Sequence, residues 1–172
     1  MAPGMENYLK EMLVTLTECE VEFVVGGGVA CVLHGVERVT LDLDVAVQMD
    51  SSNLRRLIGA VEKLKLQPRI PVSLADIGDP EFVRSMVVEK KALVFSLADF
   101  DRPLRHLDIF LDPKLSFERL SKGAVWIDIG GVKIRVVSKE LLIKIKNEIK
   151  PLRAKDVLDL QELARLGDKP TP

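Results

Sequence analysis

Two aspartates at alternate positions, Asp42 and Asp44, stand in the apolar run Leu41, Leu43, Val45 and Val47. Residues two apart on a β-strand leave the same face, roughly 6.6–7 Å apart along the backbone. A fold alone would not choose two carboxylates in that setting. Hard cations such as Mg²⁺ are commonly held by one or two carboxylates together with phosphate oxygens and water. The pair therefore reads as a cation site. The plainer alternative puts one aspartate at a strand end and the other on a solvated face. The flanking apolar residues speak against it, because they point to a sheet covered on its other face.

Asp108, in the run Arg105 to Phe110, is a third acid embedded in a strand-like segment. From a neighbouring strand it could complete the pair, as a metal ligand or as the base for an attacking hydroxyl. A salt bridge to Arg105 is the competing use. Asp112 is followed by Pro113 and suits the end of the strand better.

Gly26, Gly27 and Gly28 lie between an apolar strand and a short apolar helix. Such a turn lets backbone N–H groups approach a phosphate at the positive end of a helix. Two well-known phosphate loops are excluded. No Gly-Lys-Ser/Thr follows, as a P-loop requires, and Cys31 stands where the dinucleotide fingerprint needs its third glycine. A tight turn packed on the sheet is the alternative reading of the glycines alone. Arg38 and Thr40, on the approach to the aspartates, suit triphosphate or base contacts. Loop surface is their other reading. Lys146, within the locally basic set Lys144, Lys146, Lys150, Arg153 and Lys155, is the candidate phosphate contact of the C-terminal region. His34 and His106 show no ligand spacing, and His34 reads as a helix-end or core histidine. Trp126 reads as core or edge packing.

The elements that must position these residues follow from periodicity. Tyr8, Leu9, Met12, Leu13 and Leu16 predict a helix over about 5–18, and Val21–Val25 a strand covered on both faces. A helix over Val29–Leu33 is closed by His34-Gly35. Asp50-Ser51-Ser52 caps a helix over about 53–65. The stretch 66–87 is broken by prolines, with one short helix expected from Pro80. Ala92–Leu97 and Leu107–Leu111 read as a hairpin or neighbouring strands. Val125–Ile129 and Val132–Val137 flank a Gly130-Gly131 hairpin turn. Ser138 caps a helix over about 139–149, stopped by Pro151; a last helix covers about 153–166, and the tail Gly167–Pro172 is expected to fray.

The chain has 172 residues, 47% hydrophobic and 30% charged, which describes an ordinary globular chain long enough for one cored domain. Its 25 basic and 26 acidic residues nearly cancel, so bulk attraction to nucleic acid is absent. The two cysteines, Cys19 and Cys31, lack metal-ligand spacing and are expected to be buried free thiols. No signal peptide and no apolar run of the ~20 residues that span a membrane is seen, so a cytoplasmic location is expected.

Together, Gly27-Gly28 and Asp42-Leu43-Asp44 resemble the signature of the nucleotidyltransferase superfamily with the polymerase-beta-type palm. There a Gly-Gly or Gly-Ser turn precedes Asp-x-Asp on the next strand. GGVACVLHGVERVTLDLDV is similar to a minimal branch that includes abortive-infection toxins and lincosamide-type enzymes. LLIKIKNEIKPLRAKDVLDLQEL resembles that branch's C-terminal helices, with their lysine and then a Lys-Asp pair, here Lys155-Asp156.

The resemblance implies an α/β (α+β) fold over 1–172. A mixed sheet with helices mainly on one side would form a palm core over about 20–137, with a C-terminal helical pair over about 138–166. It implies transfer of an NMP from an NTP to a hydroxyl, with release of pyrophosphate. Asp42, Asp44 and Asp108 would hold Mg²⁺ or Mn²⁺ and carry the catalysis. Gly27 and Gly28 would cradle phosphates, and Arg38, Thr40 and Lys146 would contact nucleotide. The acceptor is open among RNA, protein and a small hydroxylated molecule, and so is association with a second copy or a partner protein. Glycine stands at 28 where many members carry serine. Two further readings are a non-catalytic nucleotide-binding or toxin–antitoxin-type partner that keeps the fold, and a Rossmann-type redox enzyme.

Overall fold

A computed structural model of the chain describes residues 3–167. Residues 168–172, where the fraying tail was expected, lie outside the described part. Helix α1, Pro3–Glu18, buries Tyr8, Leu9, Met12, Leu13 and Leu16, the stripe that its periodicity predicts. Strand β1 is shorter than expected, Phe23–Val25 rather than Val21–Val25. The Val21 N–H is taken by the Leu16 carbonyl at 3.0 Å, so the end of α1 uses residues that would otherwise extend the strand.

Helix α2, Gly27–Leu33, begins two residues earlier than expected and takes Gly27 and Gly28 into its first turn. It closes at Gly35, whose φ of +98° is the left-handed conformation that ends many helices. Strand β2 is Asp42–Val47. Helix α3, Ser51–Lys63, is capped by the Asp50 carboxylate, which accepts from the Ser52 and Asn53 N–H groups.

The proline-broken stretch holds strand β3, Gln67–Pro68, a 3₁₀ turn over Leu74–Gly78, and α4, Pro80–Arg84, with Pro80 in its first turn. A wider helical turn, Ser85–Glu89, continues α4. Strands β4, Val94–Ala98, and β5, His106–Phe110, pair antiparallel as neighbours. After the short α5, Phe117–Leu120, strands β6, Val125–Asp128, and β7, Lys133–Val136, form a hairpin. Gly130 and Gly131 turn that hairpin at φ +86° and +91°. Ser138 caps α6, Lys139–Glu148, and α7 follows over Ala154–Arg165.

Among the described residues, seven strands join one mixed sheet in the order β3-β4-β5-β2-β1-β7-β6. β1 and β2 are antiparallel, whereas β2–β5 and β1–β7 are parallel. A doubly wound dinucleotide fold has parallel central strands, so the Rossmann reading is overturned here. One buried cluster runs from α1 through the central strands to α3 and α7. Among the described residues, no helix is long and apolar enough to cross a membrane.

Asn53 fastens α3 to the sheet. Its side chain is fully buried; its amide donates to the Glu22 carbonyl at 3.0 Å and the Gln48 carbonyl at 2.8 Å, and its carbonyl accepts from the Glu22 N–H at 2.7 Å. These bonds close the ends of β1 and β2 on the side remote from Asp42. Replacing Asn53 by Ala takes the side-chain partner from the Glu22 N–H and the Gln48 carbonyl, both part-buried, while the Glu22 carbonyl keeps the Gln48 N–H at 3.1 Å. An unsatisfied group costs about 1–3 kcal/mol. Urea unfolding of Asn53→Ala is expected to show a loss of at least ~2 kcal/mol.

Candidate active site

The parallel register of β2 on β5 sets the site. Asp44 lies opposite Asp108, and Asp42 lies opposite His106. Opposed residues on adjacent strands share a face roughly 4.8 Å apart, so Asp42, Asp44 and Asp108 emerge on one side of the sheet. Leu43, Val45 and Val47 fill the other side and are fully or almost fully buried. Asp42 is the outermost acid, half exposed, with its carboxylate 3.3 Å from His106 Nδ1. On the far side of β5, Ser96 of β4 stands opposite Asp108, and its hydroxyl bonds that carboxylate. Ser96 was not singled out in the sequence; only the β4–β5 register reveals it.

The acids strain one another. Burial pushes the Asp44 carboxyl up to about 6, and the charges of Asp108 and Asp42 add to it; the Gly28 N–H and Lys155 act in the opposite direction. Burial also raises Asp108, opposed by the Ser96 hydroxyl and reinforced by Asp42. Arg105 does not neutralise Asp108. It pairs with Asp99 at 3.0 Å and Glu11 at 2.8 Å, which removes the competing use of Asp108. Asp112 caps a 3₁₀ turn by accepting from the Lys114 N–H, as suits a strand end.

The glycine turn is built onto these acids. The Gly26 N–H donates to the Asp44 backbone carbonyl at 2.9 Å, and the Gly28 N–H bonds the Asp44 carboxylate. Gly27 has φ +57°, and a Cβ there would stand 2.0 Å from Asp44 Oδ2. Only glycine fits both the backbone and the carboxylate. At Gly28 a Cβ would lie 2.6 Å from Thr40 Oγ1 and 3.2 Å from Arg38 Nη2. The Thr40 hydroxyl thus occupies the space where a residue-28 side chain would begin.

The basic residues divide into two sets. Lys146 is buried, and its ammonium pairs with Asp159 at 2.8 Å and Asp156 at 3.1 Å. Arg38 also binds Asp159, at 2.5 Å. Lys150, Arg153 and Lys155 are exposed, and with Lys114 they line the same cleft as the three acids. Lys155 and Arg153 act electrostatically on Asp44. The cleft encloses about 1020 Å³, and Gly26–Gly28, Arg38, Thr40 and Lys146 all line it. Every residue proposed from the sequence for the site therefore faces one cavity. Val39, Leu41 and Leu93 contribute exposed apolar surface to it.

The remaining candidates are structural. His34 caps α2, and its Nε2 bonds the Val137 carbonyl at 2.7 Å. Trp126 packs on the edge strand β6 with Arg135 stacked 4.8 Å from its ring. Both cysteines are free. Cys31 is buried as expected, with its thiol pushed by burial to about 11, whereas Cys19 is only partly covered.

Among the described residues, no three His, Cys, Asp or Glu side chains form a ready-made metal cage. The donor set nevertheless suits Mg²⁺, which keeps waters and takes phosphate oxygens alongside one or two carboxylates. Asp44, raised first by burial and then by the charges of Asp108 and Asp42, is a carboxyl whose ionisation a bound divalent cation would favour.

No family model matches the sequence, and no curated protein matches it closely enough to count as a relative. Solved structures do match the fold. The lincomycin-bound lincosamide antibiotic adenylyltransferase LnuA superposes with a TM-score of 0.62 at 17% identity, over 94% of this chain and 97% of that one. ANT(2")-Ia in complex with adenylyl-2"-tobramycin gives 0.58 at 17% identity, over 92% and 87%. An antigenic nucleotidyltransferase-like protein from Paracoccidioides brasiliensis gives 0.56 at 16%, over 96% and 78%. The chain has the nucleotidyltransferase fold.

The raised Asp44 has a consequence for stability. Its carboxyl titrates near 6 in the fold and near 3.8 in the unfolded chain, so the folded state holds the proton more tightly. Its contribution therefore falls as pH rises between about 4 and 6, by on the order of 3 kcal/mol. In metal-free buffer, Asp44→Asn is expected to gain stability relative to the native chain by that order between pH 4 and 7.5. Paired urea titrations across this range measure it.

Proposed function

We propose that the chain is a metal-dependent nucleotidyltransferase that moves an NMP from an NTP to a hydroxyl acceptor and releases pyrophosphate. One observation carries the reading: Asp44 in register with Asp108, with Asp42 on the same face, beside a glycine turn hydrogen-bonded to Asp44. The fold likeness to antibiotic adenylyltransferases supports it.

In this reading Asp42 and Asp44 hold Mg²⁺ or Mn²⁺ against the NTP phosphates, with Asp108 beside them. The bound cation would neutralise charge on the phosphates and on the entering and leaving oxygens. The chain supplies the rest. Asp108, raised above the ordinary carboxylate range, accepts the acceptor hydroxyl's proton. The acceptor oxygen then bonds the α-phosphorus as the bond to the β-phosphate oxygen breaks, and pyrophosphate leaves with that electron pair.

Glycines 26–28 let phosphate approach the backbone without a side chain in the way. The Thr40 hydroxyl provides the contact that serine at position 28 gives in other members. Lys150, Arg153 and Lys155 line the cleft with cationic groups that suit pyrophosphate. A cleft of about 1020 Å³ has room for a nucleotide and a small hydroxylated acceptor side by side. Val39, Leu41 and Leu93 would meet the acceptor's apolar surface.

Incubation with each α-labelled NTP, Mg²⁺ and a cell extract is expected to label an acceptor. Asp42→Asn and Asp44→Asn should each reduce labelling by at least ~100-fold, because each removes a charge that the phosphoryl transition state depends on. Native chain that binds NTP but labels nothing in any extract would point to the non-catalytic reading. A second check concerns the turn. Gly27→Ala should lose nucleotide binding while keeping a native circular dichroism spectrum, since its methyl collides with the Asp44 carboxylate.

A further inference from the structure

Along the cleft wall, five charges alternate in sign, and all but Asp159 line the cleft. Arg38 binds Asp159, Asp159 binds Lys146, Lys146 binds Asp156, and Asp156 binds Arg153 through two guanidinium nitrogens at 2.6 and 3.2 Å. The middle of the chain is dry. Asp156 is fully buried, Asp159 is 3% exposed and Lys146 6%. Burial works against the Lys146 charge, yet the Asp159 and Asp156 carboxylates hold its pKa above the ordinary value. Burial likewise opposes ionisation of Asp156, and the bonds from Arg153 and Lys146 outweigh it. The Cys31 thiol adds a further hydrogen bond to Asp159.

Both ends of this chain come out at the cleft. Arg38 lies with its guanidinium against Gly28, and Arg153 acts on Asp44. A buried ion network contributes little net stability compared with apolar packing of the same volume, so stability alone does not account for it. What the network does fix is where its terminal arginines sit. The two aspartates are three residues apart on α7, so they lie on one face of that helix. Lys146, reaching in from α6, bridges them.

We propose that Asp159 and Asp156 are positioning residues, which hold Arg38 and Arg153 at the cleft wall for the phosphates of a bound nucleotide. Lys146 is the internal bridge and makes no phosphate contact of its own. This inference rests on the nucleotidyltransferase reading and deepens it. It replaces the direct role for Lys146 that the sequence suggested, because both carboxylates already take its ammonium.

A double-mutant cycle tests it. The α,β-methylene analogues of the four NTPs are titrated with Mg²⁺ into the native chain, Arg38→Gln, Asp159→Asn and the double variant, each checked for a native melting transition. Asp159→Asn and Arg38→Gln should each weaken binding about tenfold, the loss of one charge-assisted bond. The double variant should be no weaker than Arg38→Gln alone. Losses that multiply would overturn the proposal, since Asp159 would then not act through Arg38.

Lys146→Met, placed in an Arg38→Gln, Arg153→Gln background, is the second arm, and it stands if Asp159→Asn does not fold. A bridge costs no further affinity there, whereas a direct phosphate ligand costs about another tenfold and overturns the assignment. If the native chain binds none of the four analogues, the nucleotide reading itself fails and this inference falls with it. Additive losses on a chain that does bind overturn the positioning role alone.

Discussion

Three carboxylates on one face of a covered sheet repel one another, and the rest of the site is arranged around tolerating that repulsion. Asp44 bears most of it, being the most enclosed and having Asp108 directly across the strand pair. The fold answers with single hydrogen bonds instead of a paired cation: the Gly28 N–H on Asp44 and the Ser96 hydroxyl on Asp108. Neither neutralises charge. Two cations act on Asp44 from the lining of the same cleft, Lys155 and the Asp156-paired Arg153. Under the proposed function, a metal–nucleotide complex would bring the positive charge that offsets these carboxylates.

The glycine turn follows from the same constraint. It must pass close enough to Asp44 to donate a hydrogen bond to its carboxylate, and only a residue without a Cβ survives that approach at position 27. The adjoining Thr40 fills the gap at Gly28. The C-terminal helices then add their charge from behind, through buried Asp156 and Asp159, so that cations appear at the cleft in fixed places. Sheet, turn and helices thus serve one small volume, and each does so through a different physical term: register, steric clearance and buried ion pairing.

Much of this was legible locally. Alternation at Asp42 and Asp44, the Asp50 cap of α3, the Gly130-Gly131 turn and the Ser138 cap are short-range signals, and they placed their elements to within a few residues. Long-range facts were not legible. No pattern in Leu107–Leu111 says that its strand runs parallel to β2, yet that pairing alone brings Asp108 to Asp44. Lys146 reads as an ordinary helix lysine until α7 packs against α6 and sets two carboxylates on it. Ser96 carries no signal at all without the register of β4 on β5. Strand β1 was overestimated because apolar residues that finish a helix look like those that start a strand.

The claim beneath all of this is that the acid cluster takes a cation together with nucleotide phosphates. Calorimetric titration of Mn²⁺ into the metal-free chain, alone and with a saturating α,β-methylene NTP, tests it most directly. The account predicts weak Mn²⁺ binding alone, binding at least ~10-fold tighter with nucleotide present, and loss of that coupling in Asp44→Asn. Nucleotide binding that is indifferent to Mn²⁺, and unchanged by Asp44→Asn, would contradict it.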